Sequence, residues 1–172
     1  RGVDLAQTNG VDVAANTALG LTGTLTGNGG LTKQGGGTLV LAGNNSYSGG
    51  TGIDDGVLSV SSDANLGAAS GALTLNGGTL ATTASFNTAR AITLAQASNV
   101  DVNTSSALNL TGTITGSGQL TKLGSGTLTL SETNTYTGGT TVSSGTLLAG
   151  GAGAFVANTA YAVNGGVLDL GG

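Results

Sequence analysis

Any chemistry in this chain has to come from very few side chains. There is no His and no Cys, so neither an imidazole base nor a thiolate is available, and only four Lys or Arg and eight Asp or Glu are spread over 172 residues. Half of these charges come in pairs. Lys33 and Lys122, Arg1 and Arg90, and Asp12 and Asp101 each stand 89 residues apart. A charge that returns once per repeat reads most simply as scaffold, with a shared ligand-binding role as the alternative. Asp54, Asp55 and Asp63 form the one acidic cluster, and the positions matching its first two members are Ser143 and Ser144. Several carboxylate and carbonyl oxygens together suit Ca²⁺. The plainer reading is a solvated turn, and the Ca²⁺-binding nonapeptide of β-rolls is absent. On that reading, replacing all three with Ser changes stability by less than about 1 kcal/mol.

The remaining polar positions point the same way. Asn45 and Asn134 each precede a tyrosine by two, Tyr47 and Tyr136. An Asn at a corner can adopt the left-handed conformation and bond its amide to a neighbouring turn of chain, and a Tyr there can cap an apolar column with its hydroxyl toward water. Gly35-Gly36-Gly37 is not followed by Gly-Lys-Ser/Thr or by a helical pattern, so it is not a phosphate loop. Hydrolysis on a β scaffold needs clustered acids or bases in a groove, which paired and scattered charges do not supply. The expectation is a chain that is not an enzyme, with no catalytic residue, no cofactor, no cofactor-binding residue and no metal ligand.

Composition describes the elements that hold these residues. Apolar residues make up 38% of the chain against 7% charged, with 34 Gly and no Pro. Leu, Val, Ile and Thr favour strands, and Gly and Asn favour tight turns. The net charge of −4 offers no footprint for nucleic acid or anionic lipid. No apolar run reaches the length of a membrane helix. Nothing at Arg1 reads as a signal peptide, so an exported protein would contain this sequence as an internal piece.

Repetition is the strongest pattern. Residues 1–60 align without gaps on residues 90–149, with roughly half the positions identical. Asn76-Gly77-Gly78 returns as Asn164-Gly165-Gly166, at an offset of 164 − 76 = 88. The chain therefore reads as two units, 1–89 and 90–172. Within them, alternating stretches such as Thr38-Leu39-Val40-Leu41 and Thr127-Leu128-Thr129-Leu130 recur, with Leu39 to Leu58 spanning 19 residues, Leu75 to Leu94 19, Leu110 to Leu128 18 and Leu128 to Leu147 19. Alternation puts Leu on one face and Thr or Ser on the other, and no helical period is sustained. A turn of about 18–22 residues with two or three short strands is one coil of a β-solenoid. The predicted fold is all-β, a single-stranded right-handed parallel β-helix of about eight coils, on the order of 40 Å long, with no helix beyond two turns. Leu39, Leu41, Leu58, Leu75, Leu94, Leu128, Leu130, Leu147 and Leu168 are predicted to point inward.

The stretch Gly116-Ser117-Gly118-Gln119-Leu120-Thr121-Lys122-Leu123-Gly124-Ser125-Gly126-Thr127-Leu128-Thr129-Leu130, continuing through Asn134-Thr135-Tyr136-Thr137-Gly138-Gly139-Thr140-Thr141-Val142 to Gly145-Thr146-Leu147, resembles the passenger-associated transport repeat of bacterial autotransporters. A second copy runs from Gly27 to Leu58, with Ser46, Ser48 and Gly52 departing toward other small residues. The resemblance implies a right-handed β-helix in the passenger of a protein exported by type V secretion to the Gram-negative cell surface or beyond. It implies, as partners, the protein's own C-terminal outer-membrane β-barrel and neighbouring coils. On this basis the expected function is a non-catalytic structural stalk of an adhesin-like passenger that aids export and folding. The alternatives are a module binding a host glycan or protein, a fibre subunit that associates end to end, and an ice-binding surface, which the drifting Thr spacing disfavours. Nucleic acid is not an expected partner.

Overall fold

The computed structural model describes residues 2–157 and 159–171. Its elements are short strands and a single 3-10 turn, Asp63–Leu66, and no described helix is long and apolar enough to cross a membrane. All strand pairings are parallel, and each strand pairs with one about a coil away in sequence. The strands stack on three faces. The first face carries Asn9–Asp12, Leu31–Gln34, Thr51–Ile53, Leu73–Leu75, Ile92–Leu94 and Ile114–Gly116. The second is an eight-strand ladder from Ala18–Leu21 to Tyr161–Val163. The third begins with Val3–Asp4 and Leu25–Thr26 and resumes at Phe86–Thr88, ending at Val167–Asp169. Between Leu25–Thr26 and Phe86–Thr88, the third face is bridged by non-strand chain. Ser46 N–H donates to Leu25 C=O at 2.8 Å and Asn45 N–H to Ala64 C=O at 2.8 Å. The molecule is thus a parallel β-solenoid of about eight coils.

Coil length follows from the ladder. Asn9, Leu31, Thr51, Leu73, Ile92 and Ile114 lie over one another, so five coils take 114 − 9 = 105 residues, or 21 each. That is slightly longer than the spacing of the alternating triplets. Leu39 stacks on Leu58, Leu75 on Leu94 and Leu128 on Leu147 as the spacing predicts. Leu110 does not stack on Leu128; it lies against Leu130, and Leu128 lies against Leu108.

The 89-residue period is not a whole number of coils. From Leu31–Gln34 the chain returns to the first face at Thr51, Leu73, Ile92 and Ile114, and then passes to the second face before reaching Leu120–Leu123, the strand matching Leu31–Gln34. One 89-residue period, from Leu31 to Leu120, therefore makes four coils and one further face. Matching segments sit a third of a turn apart around the axis. Thr38–Leu41 lies on the second face and its counterpart Thr127–Leu130 on the third.

Alternation decides the interior. Leu39, Leu58, Leu94, Leu128, Leu130 and Leu147 are fully or almost fully buried, as are Leu41 and Leu75, and they belong to one continuous core. Leu168 is only partly buried because it lies on the last described coil, with a neighbour among the described strands on one side only. Burying such a face is worth roughly 2 kcal/mol per Leu side chain, and each coil buries it only against its neighbours. Leu128→Ala is expected to cost about 2–5 kcal/mol. Leu168→Ala should cost well under half as much. Chemical denaturation of the two variants checks this, and equal losses would show that burial along the axis is not graded in this way.

Candidate functional site

Alternation places Lys33 and Lys122 on the inward side of their strands, where both are fully buried. An ammonium there must replace its hydration shell. Lys33 Nζ donates to the carbonyls of Gln34 (2.7 Å), Gly35 (2.5 Å) and Asp55 (3.2 Å). Lys122 Nζ donates to Leu123 (2.6 Å), Gly124 (2.8 Å) and Ser144 (3.4 Å). Each lysine thus ties the turn that follows it to the corresponding turn of the next coil. Space for the ammonium requires glycine at Gly56 and Gly145, which have φ of +62° and +65°. A Cβ on either would lie 2.4 Å from a carbonyl oxygen and within 2.9 Å of Nζ. Burial pushes the Lys122 ammonium down to about 8, with Asp101 pulling it back up. Lys33 is also lowered by burial, against the pull of Asp55 and Asp12.

The Asn and Tyr positions form a second internal feature. Asn45 Oδ1 accepts from Leu25 N–H at 2.8 Å, and Asn45 Nδ2 donates to Asn65 C=O at 2.6 Å. Asn134 repeats this with Ile114 N–H at 2.8 Å and Ala154 C=O at 2.8 Å. A bond from the amide to one neighbouring turn is as expected; that the same side chain bonds the coils on both sides goes beyond that expectation. The left-handed conformation is not used at either Asn; the described non-glycine residues with positive φ are Asn16 and Ser105, themselves 105 − 16 = 89 apart. The expectation for tyrosine is overturned. Tyr47 and Tyr136 are fully buried, and their hydroxyls meet Thr51 Oγ1 at 2.7 Å and Thr140 Oγ1 at 2.6 Å rather than water. A Thr four residues downstream, which sequence inspection passed over, supplies the internal partner. Burial raises both phenols above the usual tyrosine value.

The three acids do not act together. Asp55 is exposed and accepts from its neighbour Gly56 N–H at 2.7 Å, whereas Asp54 accepts from Asn76 Nδ2 at 3.2 Å. Asp63 instead pairs with Arg90. Arg90 Nε lies 2.7 Å from Asp63 Oδ1 and Nη2 lies 3.1 Å from Oδ2, while the same guanidinium donates to the carbonyls of Asp63, Gly67, Ala68 and Gly71. The guanidinium is almost wholly buried and holds the 63–71 loop against the next coil. Asp63 therefore belongs to the scaffold, and the expectation that all three acids can be exchanged freely is corrected for this residue. No group of three potential metal ligands occurs among the described residues. Arg1, the sequence counterpart of Arg90, lies outside the described residues.

Lys33, Asn45 and Tyr47 and their counterparts Lys122, Asn134 and Tyr136 fall within the two segments that match a known repeat, whereas Asp63 and Arg90 lie outside them. A family model described as the passenger-associated-transport-repeat matches residues 31–60 and again 120–149. Each match begins at the strand that carries the buried lysine, crosses the Asn–Tyr corner and ends on the next coil. The Adhesin BmaC autotransporter of Brucella suis biovar 1 (strain 1330) is 46% identical over 108 residues, covering 63% of this chain and 3% of that protein. The chain thus spans a small fraction of that relative's length. No solved structure matches. The chain carries the passenger-associated transport repeat twice and resembles an autotransporter passenger.

Two measurements check the internal ties. Replacing Asp54 and Asp55 with Ser should leave stability within about 1 kcal/mol of the parent. Asp63→Ser should cost about 1–3 kcal/mol, held down by the partial exposure of Asp63, and Arg90→Ala about 3–5 kcal/mol, because it leaves carbonyls unpaired. Equal denaturation midpoints for all of these would remove Arg90 from the scaffold. The second measurement is the pH dependence. Between the lowered lysine value of about 8 and the ordinary value of 10.5, the unfolded chain binds more protons than the folded one, so stability rises from about pH 8 to about pH 10. Above about pH 10 the unfolded tyrosines ionise while Tyr47 and Tyr136 keep their protons, so stability falls. A midpoint that stays flat or declines between pH 8 and 10 would contradict the lysine environment.

Proposed function

We propose that this chain is a non-catalytic stalk segment of an adhesin-like autotransporter passenger, internal to a longer protein and built of two units, 1–89 and 90–172. The observation that carries the reading is where the charge goes. Lys33, Arg90 and Lys122, all the cations among the described residues, are buried and spent on backbone carbonyls or on Asp63. Such groups join coils and are withheld from any substrate. The hydrophobic side chains exposed at the ends, Val3 and Leu19 on one and Val163, Val167 and Leu170 on the other, suit continuation into further coils of the same chain. In this reading the protein is exported to the Gram-negative cell surface through its own outer-membrane β-barrel, and the segment aids export by folding coil upon coil.

The test is deletion in the full-length protein, with surface display and trypsin resistance as readouts. Removing 1–89 lets the second unit take the place of the first, so the rod shortens by about 20 Å and display falls only modestly. Removing 116–147 cuts out Lys122 and the Asn134–Tyr136 corner and leaves coils that do not close. Display and trypsin resistance should then drop far more, since folding is what hides the Lys and Arg side chains from the protease. If the first deletion abolishes target binding while display is intact, the segment is a binding module and the stalk reading fails.

A further inference from the structure

The two units share a backbone plan, and one of the places where their outer surfaces differ is a groove. On the first face a groove of about 310 Å³ is floored by Leu31 and by the Gly49–Gly50 turn, with Thr32, Thr74 and Asp54 beside it. It exists because Gly52 interrupts an outward column of threonines: Thr32 stacks on Gly52, Gly52 on Thr74, and Thr74 on Thr93. In the second unit Leu31, Thr32, Gly49 and Gly50 recur as Leu120, Thr121, Gly138 and Gly139, but Gly30 is replaced by Gln119 and Gly52 by Thr141. Gln119 Nε2 donates to Thr141 Oγ1 at 3.4 Å, so side chains close the matching position. The groove's acid is also lost there, Asp54 being replaced by Ser143.

The acid is held in place. Asp54 Oδ1 accepts from Asn76 Nδ2 at 3.2 Å, and Asn76 Oδ1 in turn accepts from Gln96 Nε2 at 3.0 Å. That leaves Asp54 Oδ2 without a hydrogen-bond partner among the described residues, on a half-buried carboxylate that lines the groove together with Thr32 and Thr74. The backbone of Gly49, Gly50 and Gly52 and the small Ala72 line the groove, so few bulky side chains intrude on it. No cation lines the groove and the Asp54 carboxylate disfavours an anionic ligand, while its volume is at the low end for a ligand site.

We propose that this groove is a binding site for one neutral pyranose unit, with ring hydroxyls on Asp54, Thr32 and Thr74. The site is independent of the stalk reading, because a stalk can carry a sugar subsite and a sugar subsite does not require a stalk.

The test is amide chemical-shift mapping of the chain titrated with methyl glycosides of glucose, galactose, mannose and N-acetylglucosamine, and separately with methylguanidinium. At least one glycoside should give saturable millimolar shifts at Gly49, Gly50, Gly52 and Thr74, and none at Gly138 and Gly139. Gly52→Thr installs the second unit's side chain. Its Cβ would sit 3.3 Å from Thr32 Oγ1, on a residue whose φ is not positive, so the fold tolerates it. This variant should lose the shifts, and Asp54→Ser should weaken binding at least tenfold with an unchanged spectrum elsewhere. No saturable shift with any glycoside, shifts that survive Gly52→Thr, or a response to methylguanidinium alone would each overturn the assignment.

Discussion

Everything in this molecule depends on the requirement that each coil come back over the previous one in register. Parallel ladders run along all three faces, so a residue's neighbours along the axis are fixed by the length of the coil rather than by local sequence. One consequence is that inward positions form columns, and a single misplaced polar group disturbs two interfaces at once. Another is that a coil may omit a strand only if something else carries the bonds between its neighbours. Asn45 and Asn134 do this, each offering one acceptor to the coil on one side and one donor to the coil on the other. An amide is suited to that place because it holds both functions in one rigid group.

The interior of the solenoid is not uniformly apolar, and its polar members are all satisfied: no buried side-chain nitrogen or oxygen among the described residues lacks a partner. The lysines are an unusual solution. Burying an ammonium costs several kcal/mol unless its protons are bonded, and here turn carbonyls that a glycine-rich corner leaves facing inward supply the acceptors. Cation and corner therefore depend on each other. Without Lys33 the Gly35 carbonyl would lose its partner, and without Gly56 or Gly145 the ammonium would have no room.

The fold was legible because alternation and repetition are properties of residues close in sequence. Thr127-Leu128-Thr129-Leu130 announces a strand with one apolar face, and its copy 89 residues earlier announces stacking. The internal partners were legible only in part. Lys33 and Lys122 stood out as repeated charges, but nothing in their neighbourhood revealed that the acceptors would be backbone carbonyls. Asp63 was grouped with Asp54 and Asp55 because the three are close in sequence. Its partner Arg90 is 90 − 63 = 27 residues away, a coil and a further corner, which no local pattern encodes. Tyr47 misled for a related reason. A phenol near a turn usually reaches water, and the Thr51 hydroxyl that holds it inside becomes visible only once the corner is folded.

The extra third of a turn in each unit affects how such a rod meets its surroundings. Where units of this kind follow one another, a patch carried by every unit does not form a stripe down one side but winds around the axis. It returns to the same side only after three units, or thirteen coils, a rise on the order of 60 Å. A flat surface lying along the rod would engage every third unit and leave the intervening two facing away. The effective valency toward such a surface is then a third of the number of units, with contact points too far apart to be spanned by one small partner. A stalk arranged in this way gains length without gaining stickiness along any one side.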